Sequence, residues 1–298
     1  MFIGLVIGFN HSWVDRQCYK HSVPTELKPG VPVENLFHHS GFIIMTRRRF
    51  YAPPGPFDNK QETVSLIADE ARHLREVLRL KPGDEVYVFN GEGKEFLSRV
   101  EESRRDKALL QIIREVEPAR PESQLQLTLA LALLKGEKFD LVVQKATELG
   151  VARIVPVITK HADIRLRDES DAAKRVTRWQ RIAMEAAKQS GRAVVPEIAK
   201  LITVASLIES TSKAEPCNCL MFSERDGQSL LQTRESLASH SKQMTALVGS
   251  EGGWSDEEIG AARAAGWAVV TLGGRTLRAE TAAIAVVALL QHIFGDLI

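Results

Sequence analysis

The chain has few cysteines, little net charge and no hydrophobic run of membrane length, and each shortage excludes a class of protein. The three cysteines among 298 residues, Cys18, Cys217 and Cys219, form neither a disulfide framework nor a Cys-x-x-Cys metal pair. The net charge is only +1, so any affinity for nucleic acid must come from local patches. Residues 1–9 are apolar but shorter than the ~20 residues that a membrane span needs. They also lack the flanks of a secretory signal, and we expect a cytoplasmic protein.

The fingerprints of several enzyme classes are also missing. The glycine-rich stretches have neither the G-x-G-x-x-G order of a dinucleotide fold nor the Gly-Lys-Ser/Thr of a P-loop, which weighs against hydride and phosphoryl transfer. No Ser/His/Asp or Cys/His motif indicates acyl transfer. No cluster has the spacing of metal ligands, and we expect no metal.

Composition changes at the start of the chain. Residues 1–44 hold four of the eight histidines and show no long periodic pattern. We expect a poorly ordered leader there, or a translation start at Met45. The first folded domain is therefore predicted over residues 45–118.

Within residues 45–118, short patterns of alternating polarity follow one another. Residues 63–69 read as a strand, and residues 70–80 read as a helix that carries several arginines. Three further strands joined by tight turns are predicted at 85–90, 95–102 and 108–116. Short strands at this spacing favour a small β-barrel. The Pro-containing segment 117–123 is the best linker in the chain.

Residues 124–298 show a different pattern, in which strands alternate with helices. The run at 125–134 is almost wholly apolar, as in a strand covered on both faces. Helical stripes are predicted at 138–149, 174–190 and 280–294, and further strands at 153–159, 219–222, 245–248 and 267–273. This alternation predicts an α/β domain with a mostly parallel sheet.

Two loops of this domain combine a strand end, glycines and a helix start. VGSEGGWSDEE (248–258) has three glycines, then Ser255 as a predicted N-cap and Glu258 as its capping-box partner. WAVVTLGGRTLRAETAAIAVVALL (267–290) repeats the order of strand, glycine loop and helix. In a parallel sheet both loops lie at the carboxyl ends of strands, where such sheets bind ligands. Together they could enclose an adenosine-like ligand.

GSEGGWSDEE followed by LGGRTLRAETA resembles the paired C-terminal motifs of the bacterial 16S ribosomal RNA uridine-N3 methyltransferases, which belong to the SPOUT class. The resemblance spans about residues 45–298 and departs at Ser250, where the family usually has proline. Further matching motifs lie at 73–79, 138–140, 144–151 and 189–192.

The resemblance implies a trefoil-knotted α/β domain, a PUA-like barrel that grips RNA, a homodimer and S-adenosylmethionine (SAM) as the methyl donor. The partner would be 16S ribosomal RNA or the small ribosomal subunit. It also implies a set of cofactor-binding residues: Leu247, Gly249, Glu251, Gly252, Leu272, Gly273, Leu277 and Arg278.

Methylation of uridine N3 requires loss of its proton, and negative charge then develops on the ring oxygens. Arg278 is our first candidate to stabilise that charge and Arg192 our second. Glu280 could accept the proton or orient an arginine, with Glu148 as a weaker alternative. The predicted RNA-binding residues are Arg48, Arg49, His73, Arg75, Arg79, Arg165 and Arg192.

Two other functions stay open at this point. A non-catalytic RNA-binding module would account for the barrel and the basic clusters but not for the paired glycine loops. A nucleotide-dependent oxidoreductase would account for the sheet and the loops but lacks the dinucleotide fingerprint.

Overall fold

Two β-sheets contain all thirteen strands that the computed structural model describes. The structure describes residues 47–57, 60, 62–162, 164, 168–212, 217–237 and 241–297. The predicted leader, 1–44, and the predicted start at Met45 lie outside these residues. The first sheet has five strands and the second has eight.

The five-stranded sheet is mixed, with the order β1-β3-β4-β5-β2. Strands β1 and β3 run parallel, and the other pairs are antiparallel. Alternate side chains of these strands, including Phe50, Val86 and Leu110, enclose one apolar core. The strands are β1 (Arg49–Tyr51), β2 (Thr63–Ile67), β3 (Glu85–Phe89), β4 (Glu95–Ser103) and β5 (Lys107–Val116).

The helix predicted over residues 70–80 begins two residues earlier and changes type. Helix α1 (Ala68–Arg72) continues as a π-helical turn, His73–Val77. Buried Leu74 holds this turn to the apolar core of the sheet. A π-helical turn is uncommon and occurs often at functional sites.

The eight-stranded sheet is parallel throughout, as the alternating pattern predicts. Its order is β11-β13-β10-β12-β6-β7-β8, with β9 also paired to β7. Strand β6 is apolar on both sides because Leu129 faces one core and Ala130 the other. The strands are β6 (Gln126–Ala132), β7 (Arg153–Ile158), β8 (Glu197–Ile198), β9 (Ile202–Thr203), β10 (Asn218–Phe222), β11 (Gln228–Ser229), β12 (Gln243–Val248) and β13 (Ala268–Thr271).

In the described part of the chain, six helices connect or follow these strands. Helix α3 begins five residues before the predicted residue 174, because the Asp168 side chain accepts a hydrogen bond from the Asp171 backbone N–H at 2.8 Å. Trp179 of α3 packs on Phe139 of α2 with ring centroids 4.0 Å apart. The helices are α2 (Lys138–Glu148), α3 (Glu169–Ser190), α4 (Val204–Ser212), α5 (Leu230–Ser236), α6 (Asp256–Ala264) and α7 (Ala279–Phe294).

Arg49, in β1 of the five-stranded sheet, donates hydrogen bonds to the end of helix α3, which packs in the parallel-sheet domain. Arg49 donates to the carbonyls of Lys188 at 2.9 Å and Arg192 at 2.9 Å, where α3 ends. Its guanidinium also pairs at 3.0 Å with Glu95, whose side chain is fully buried. Arg49 therefore supplies hydrogen bonds to carbonyls at the end of α3 and beyond it, which have no partner further along the helix.

Candidate active site

A pocket opens where three neighbouring strands of the parallel sheet end. Because β10 lies between β12 and β13, the loops that follow these strands meet at one edge. They enclose a cavity of about 450 Å³, within the usual size of small-molecule sites. We call residues 249–255, after β12, the first loop, and residues 272–278, after β13, the second loop.

The buried Trp254 side chain anchors the first loop to the end of β10. Its ring is 3 % exposed, and its Nε1 donates to the carbonyl of Phe222, at the end of β10, at 2.8 Å. The ring packs so closely on Gly249 that an added Cβ would lie 3.0 Å from it. Gly252 is similarly confined, because an added Cβ would lie 2.6 Å from the His161 carbonyl oxygen. These glycines are therefore needed for packing within the protein itself, in addition to any ligand.

Polar contacts hold the end of the first loop in place. The Arg225 guanidinium donates to the Trp254 carbonyl at 3.1 Å and to Asp256 at 2.7 Å. The predicted capping box is present, with Glu258 N donating to Ser255 Oγ at 3.3 Å and Ser255 N to Glu258 Oε2 at 3.0 Å. Lys160, after β7, pairs with Glu257 at 3.0 Å.

The second loop makes far fewer contacts with the rest of the protein than the first loop does. Gly273 has φ +107°, which L side chains rarely adopt, and residues 273–278 are all exposed. Among the described residues, no side chain of the second loop forms a hydrogen bond or an ion pair. Arg278 is the N-cap of α7, yet its side chain takes no part in capping. Its guanidinium therefore stays available at the pocket.

Two hydroxyl groups in the pocket are buried without a partner in the described part of the chain. They are Ser250 Oγ, in the first loop, and Thr271 Oγ1, at the end of β13. A buried polar group without a hydrogen bond is costly, so a bound ligand that supplies the bond would be favoured. The carboxylate of Glu224, which follows β10, also lines the pocket.

Lys138 connects the first loop to the first turn of α7, which follows the second loop. Its Nζ lies 2.8 Å from Glu251 of the first loop and 3.7 Å from Glu280, in the first turn of α7. The hydrogen bond that Lys138 donates to Glu251, with the charges of both carboxylates, raises the pKa of Lys138. Partial burial would raise the pKa of Glu251, but the hydrogen bond and charge of Lys138 hold it below the ordinary value. Glu280 Oε2 accepts no hydrogen bond from any described residue.

Comparison with known proteins identifies the family. A family model of the RNA methyltransferase domain matches residues 121–291, and one of the RNA methyltransferase PUA domain matches residues 66–113. The chain belongs to this family of RNA methyltransferases. The Ribosomal RNA small subunit methyltransferase E of Synechocystis is 32 % identical over 264 residues, covering 87 % of this chain and 82 % of the relative. The relative of that name in Bacillus subtilis is 27 % identical over 81 % of this chain and 91 % of its own length.

Solved structures of RNA methyltransferases share the fold. The Ribosomal RNA small subunit methyltransferase E from Neisseria gonorrhoeae, bound to S-adenosyl methionine, has a TM-score of 0.73 and 34 % identity. The match covers 85 % of this chain and 100 % of that one. A structure from Legionella pneumophila with bound SAM has a TM-score of 0.73 and 31 % identity, over 84 % of this chain and 99 % of that one. The fold class expected from the sequence, a parallel α/β domain with a PUA-like region, is confirmed.

The pocket fits the cofactor of these methyltransferases. Its volume, its two unpaired hydroxyls and its charged rim match a polar nucleoside with an amino acid attached. Of the residues predicted to bind SAM, all but Leu247 line the pocket: Gly249, Glu251, Gly252, Leu272, Gly273, Leu277 and Arg278. Leu247 is instead fully buried, in the core with Ala130 and Met221. Sequence reasoning missed Ser223, Glu224 and Lys138, although the Lys138 motif was part of the resemblance.

Arg192, our second catalytic candidate, is not brought to the pocket. It is 5 % exposed, and its guanidinium donates to Glu122 at 2.7 Å and to the carbonyls of Thr147 at 2.8 Å and Val151 at 3.0 Å. These contacts correct the prediction that Arg192 is free to bind RNA or a reacting base in this chain. Glu148, the weaker alternative base, pairs with Lys145 on the surface of α2 at 2.9 Å.

The predicted RNA-binding residues divide into buried and exposed groups. Arg49 is 7 % exposed and engaged with Glu95 and the end of α3, so it is not available to a phosphate. Arg48 and Arg79 are exposed, and His73 and Arg75 are partly exposed. Arg165 lies outside the described residues.

The described residues contain no group of three or more His, Cys, Asp or Glu side chains placed to hold a metal ion. None of the helices in that part of the chain is long and apolar enough to cross a membrane.

Proposed function

We propose that this chain is a SAM-dependent methyltransferase that acts on N3 of a uridine in 16S ribosomal RNA of the small ribosomal subunit. The observation that carries the proposal is the pocket at the ends of β10, β12 and β13, in a chain of the RNA methyltransferase family whose structural relatives hold SAM. The names of the curated relatives supply the small-subunit substrate.

The pocket residues divide the work of binding. The buried hydroxyls of Ser250 and Thr271 are suited to hydrogen-bond the nucleoside, and Glu224 can accept from its hydroxyl or amino groups. Arg275 and Arg278 line the same cavity and can pair with a carboxylate. When bound, SAM supplies an electrophilic methyl group on a positively charged sulfur.

Arg278 and Glu280 are the residues that we assign to the reacting base. The exposed Arg278 guanidinium can stabilise the negative charge that develops on the uracil oxygens as N3 loses its proton. Glu280 has a carboxylate oxygen without a hydrogen bond among described residues, so it can accept that proton or orient the arginine. Lys138, 3.7 Å from Glu280, positions this carboxylate and does not itself contact the base.

The resemblance implies a homodimer, and we include it in the proposal. Leu141 of α2 and Leu289 of α7 are 41 % and 39 % exposed, on two helices that pack against each other. Exposed apolar side chains on neighbouring helices are a common feature of subunit interfaces. Light scattering of the full chain measures the oligomeric state, and a monomer at all concentrations would contradict the dimer. The domain bounds, the knotted path and the cytoplasmic location stay predictions.

The proposal is tested by transfer of a labelled methyl group from SAM to small ribosomal subunits and to naked 16S RNA. Nucleoside analysis should find N3-methyluridine in at least one of the two substrates, and Arg278→Ala is the matched negative control. Calorimetry with S-adenosylhomocysteine and with NADH separates the oxidoreductase alternative. Label on another base, or binding of NADH alone, would overturn the assignment.

A further inference from the structure

Two adjacent apolar side chains, Val77 and Leu78, are exposed where the π-helical turn after α1 ends. Val77 is 67 % exposed and Leu78 37 % exposed, although both follow directly on the buried Leu74 turn. Two adjacent exposed apolar side chains form a small contiguous apolar patch, and such patches are candidate contact surfaces. We call residues 75–79 the tip.

The backbone of the tip is held in an unusual conformation. The π-helical turn closes with Leu78 N donating to the His73 carbonyl at 3.0 Å, and Leu80 N donates to the Leu74 carbonyl at 3.0 Å. Between these bonds Arg79 has φ +53°, at the position after a helix where glycine is usual. An arginine that keeps a left-handed backbone is strained, and such strain concentrates at functional sites.

Of the arginines around Val77 and Leu78, two form ion pairs with described residues and one does not. Arg75 pairs with Glu76 at 2.6 Å, and Arg72 lies 3.4 Å from Asp69. Arg79 forms no hydrogen bond or ion pair with any described residue. The tip therefore presents two apolar side chains beside an unneutralised cation, which complements a ligand that has both flat apolar faces and phosphates.

We propose that the tip inserts Val77 and Leu78 against unpaired bases of the RNA while Arg79 contacts an adjacent phosphate. The inference rests on the proposed function, and it names how the substrate is recognised: by bases out of a duplex, not by backbone charge alone. Apolar side chains are known to wedge between bases, whereas a paired A-form helix presents mainly phosphates and hydroxyls. The family model of the RNA methyltransferase PUA domain includes the tip.

The test compares the affinities of full-length variants for a labelled single-stranded oligoribonucleotide and for the matched duplex across a salt series. Val77→Ser/Leu78→Ser should weaken single-strand binding about tenfold because apolar area buried against the bases is lost, with the duplex and the salt dependence unchanged. Leu231→Ser is the matched control, because Leu231 on α5 is equally exposed at 68 %. Val77→Ser alone repeats the test with less perturbation.

Arg79→Gly tests the cation and the strain together. It should lower the slope of log affinity against log salt by about 0.7, since one phosphate contact is lost. It should also raise Tm, because glycine adopts φ +53° freely. Lower RNA affinity with higher thermal stability is the result that a purely structural role would not give.

Several outcomes would overturn the inference. Single-strand affinity unchanged in Val77→Ser/Leu78→Ser would show that the apolar pair does not contact RNA. A change in mass by light scattering in that variant would assign the pair to an interface between copies of the chain. If the wild-type chain methylates small-subunit RNA while these variants bind normally, only the tip contact fails. If the wild-type chain transfers no methyl group to that RNA, the proposed function fails as well.

Discussion

The two loops of the pocket differ in how firmly the protein holds them. The first loop, 249–255, packs on Trp254 and is hydrogen-bonded by Arg225 and by the capping box of α6. In the second loop, 272–278, no side chain has a polar partner among the described residues, and nearly all of it is exposed. The first loop is therefore formed before ligand binds, whereas the second has its contacts still to make.

The difference between the loops suggests different roles, cofactor binding for the first loop and methyl transfer for the second. A preformed loop binds a cofactor without a large ordering cost, because its backbone is already fixed. A loop with free cations can adjust to the reacting base when the RNA arrives. Substitutions in the first loop should therefore change stability and cofactor affinity, and those in the second should change turnover.

The largest effect is expected from Trp254→Ala. Loss of a buried indole at the base of the first loop should lower the free energy of unfolding by about 3–5 kcal/mol. Affinity for S-adenosylhomocysteine should fall with it, because the loop loses its support. Urea unfolding and calorimetry measure the two quantities.

Trp254→Phe is the matched control for this loop. It keeps most of the packing but removes the 2.8 Å hydrogen bond to the Phe222 carbonyl, and should cost only about 1 kcal/mol. Equal effects of alanine and phenylalanine would contradict the role given to ring packing.

Arg278→Ala should have the next largest effect, mainly on turnover, with a smaller loss of cofactor affinity because Arg275 also lines the cavity. Loss of the cation that we propose to stabilise the developing charge should lower kcat about 10²–10³-fold. The free energy of unfolding should change by less than about 0.5 kcal/mol, since the side chain is exposed. Arg278→Lys, which keeps the charge but not the planar geometry, should recover part of the rate. Normal turnover in Arg278→Ala would remove this residue from the mechanism.

Lys138→Met should reduce the difference between the loops, because Lys138 contacts Glu251 of the first loop and Glu280 of α7, directly after the second loop. We expect about three- to fivefold weaker binding of S-adenosylhomocysteine, typical of a partly exposed ion pair. Lys145→Met is the control, since Lys145 lies on the same helix and, among the described residues, pairs only with Glu148. The same loss in both variants would mean that charge, not bridging, determines the affinity.

Lys160→Met should give the smallest effect, and the effect should disappear in strong acid. Hydrogen bonds from Lys160 and Ser255 lower the pKa of Glu257 to about 2. Because the folded pKa is depressed, this contribution to stability is present above the ordinary value of 4.5 and is lost as pH falls through about 2. The variant and the wild type should thus differ in stability near neutral pH and converge in strong acid. A difference independent of pH would contradict the ion pair as its cause.

Much of the fold could be predicted because its signals are local. The apolar run of β6, the helical stripe of α2 and the capping box at Ser255 and Glu258 depend on neighbours in sequence. Strands of two residues, such as β8 and β11, give no periodicity that could be detected. Helix α4, VASLIESTS, was missed because its serines and threonine favour turns as readily as helices.

The pocket was predicted less completely because it depends on strand order. Nothing local indicates that β10 lies between β12 and β13, so the contribution of Ser223 and Glu224 was missed. The two buried arginines had no sequence signal either. Arg49 meets Glu95 46 residues away and Arg192 meets Glu122 70 residues away, and only the tertiary fold brings these partners together.

The hydrogen bonds from Arg49 to the end of α3 have a consequence for attempts to exchange parts between relatives. A parallel-sheet domain grafted onto a foreign five-stranded sheet would leave the Lys188 and Arg192 carbonyls without their donor, and an arginine introduced there alone would lack the buried carboxylate that Glu95 provides. Successful chimeras should therefore carry Arg49 and Glu95 across the junction together, as one transplanted unit.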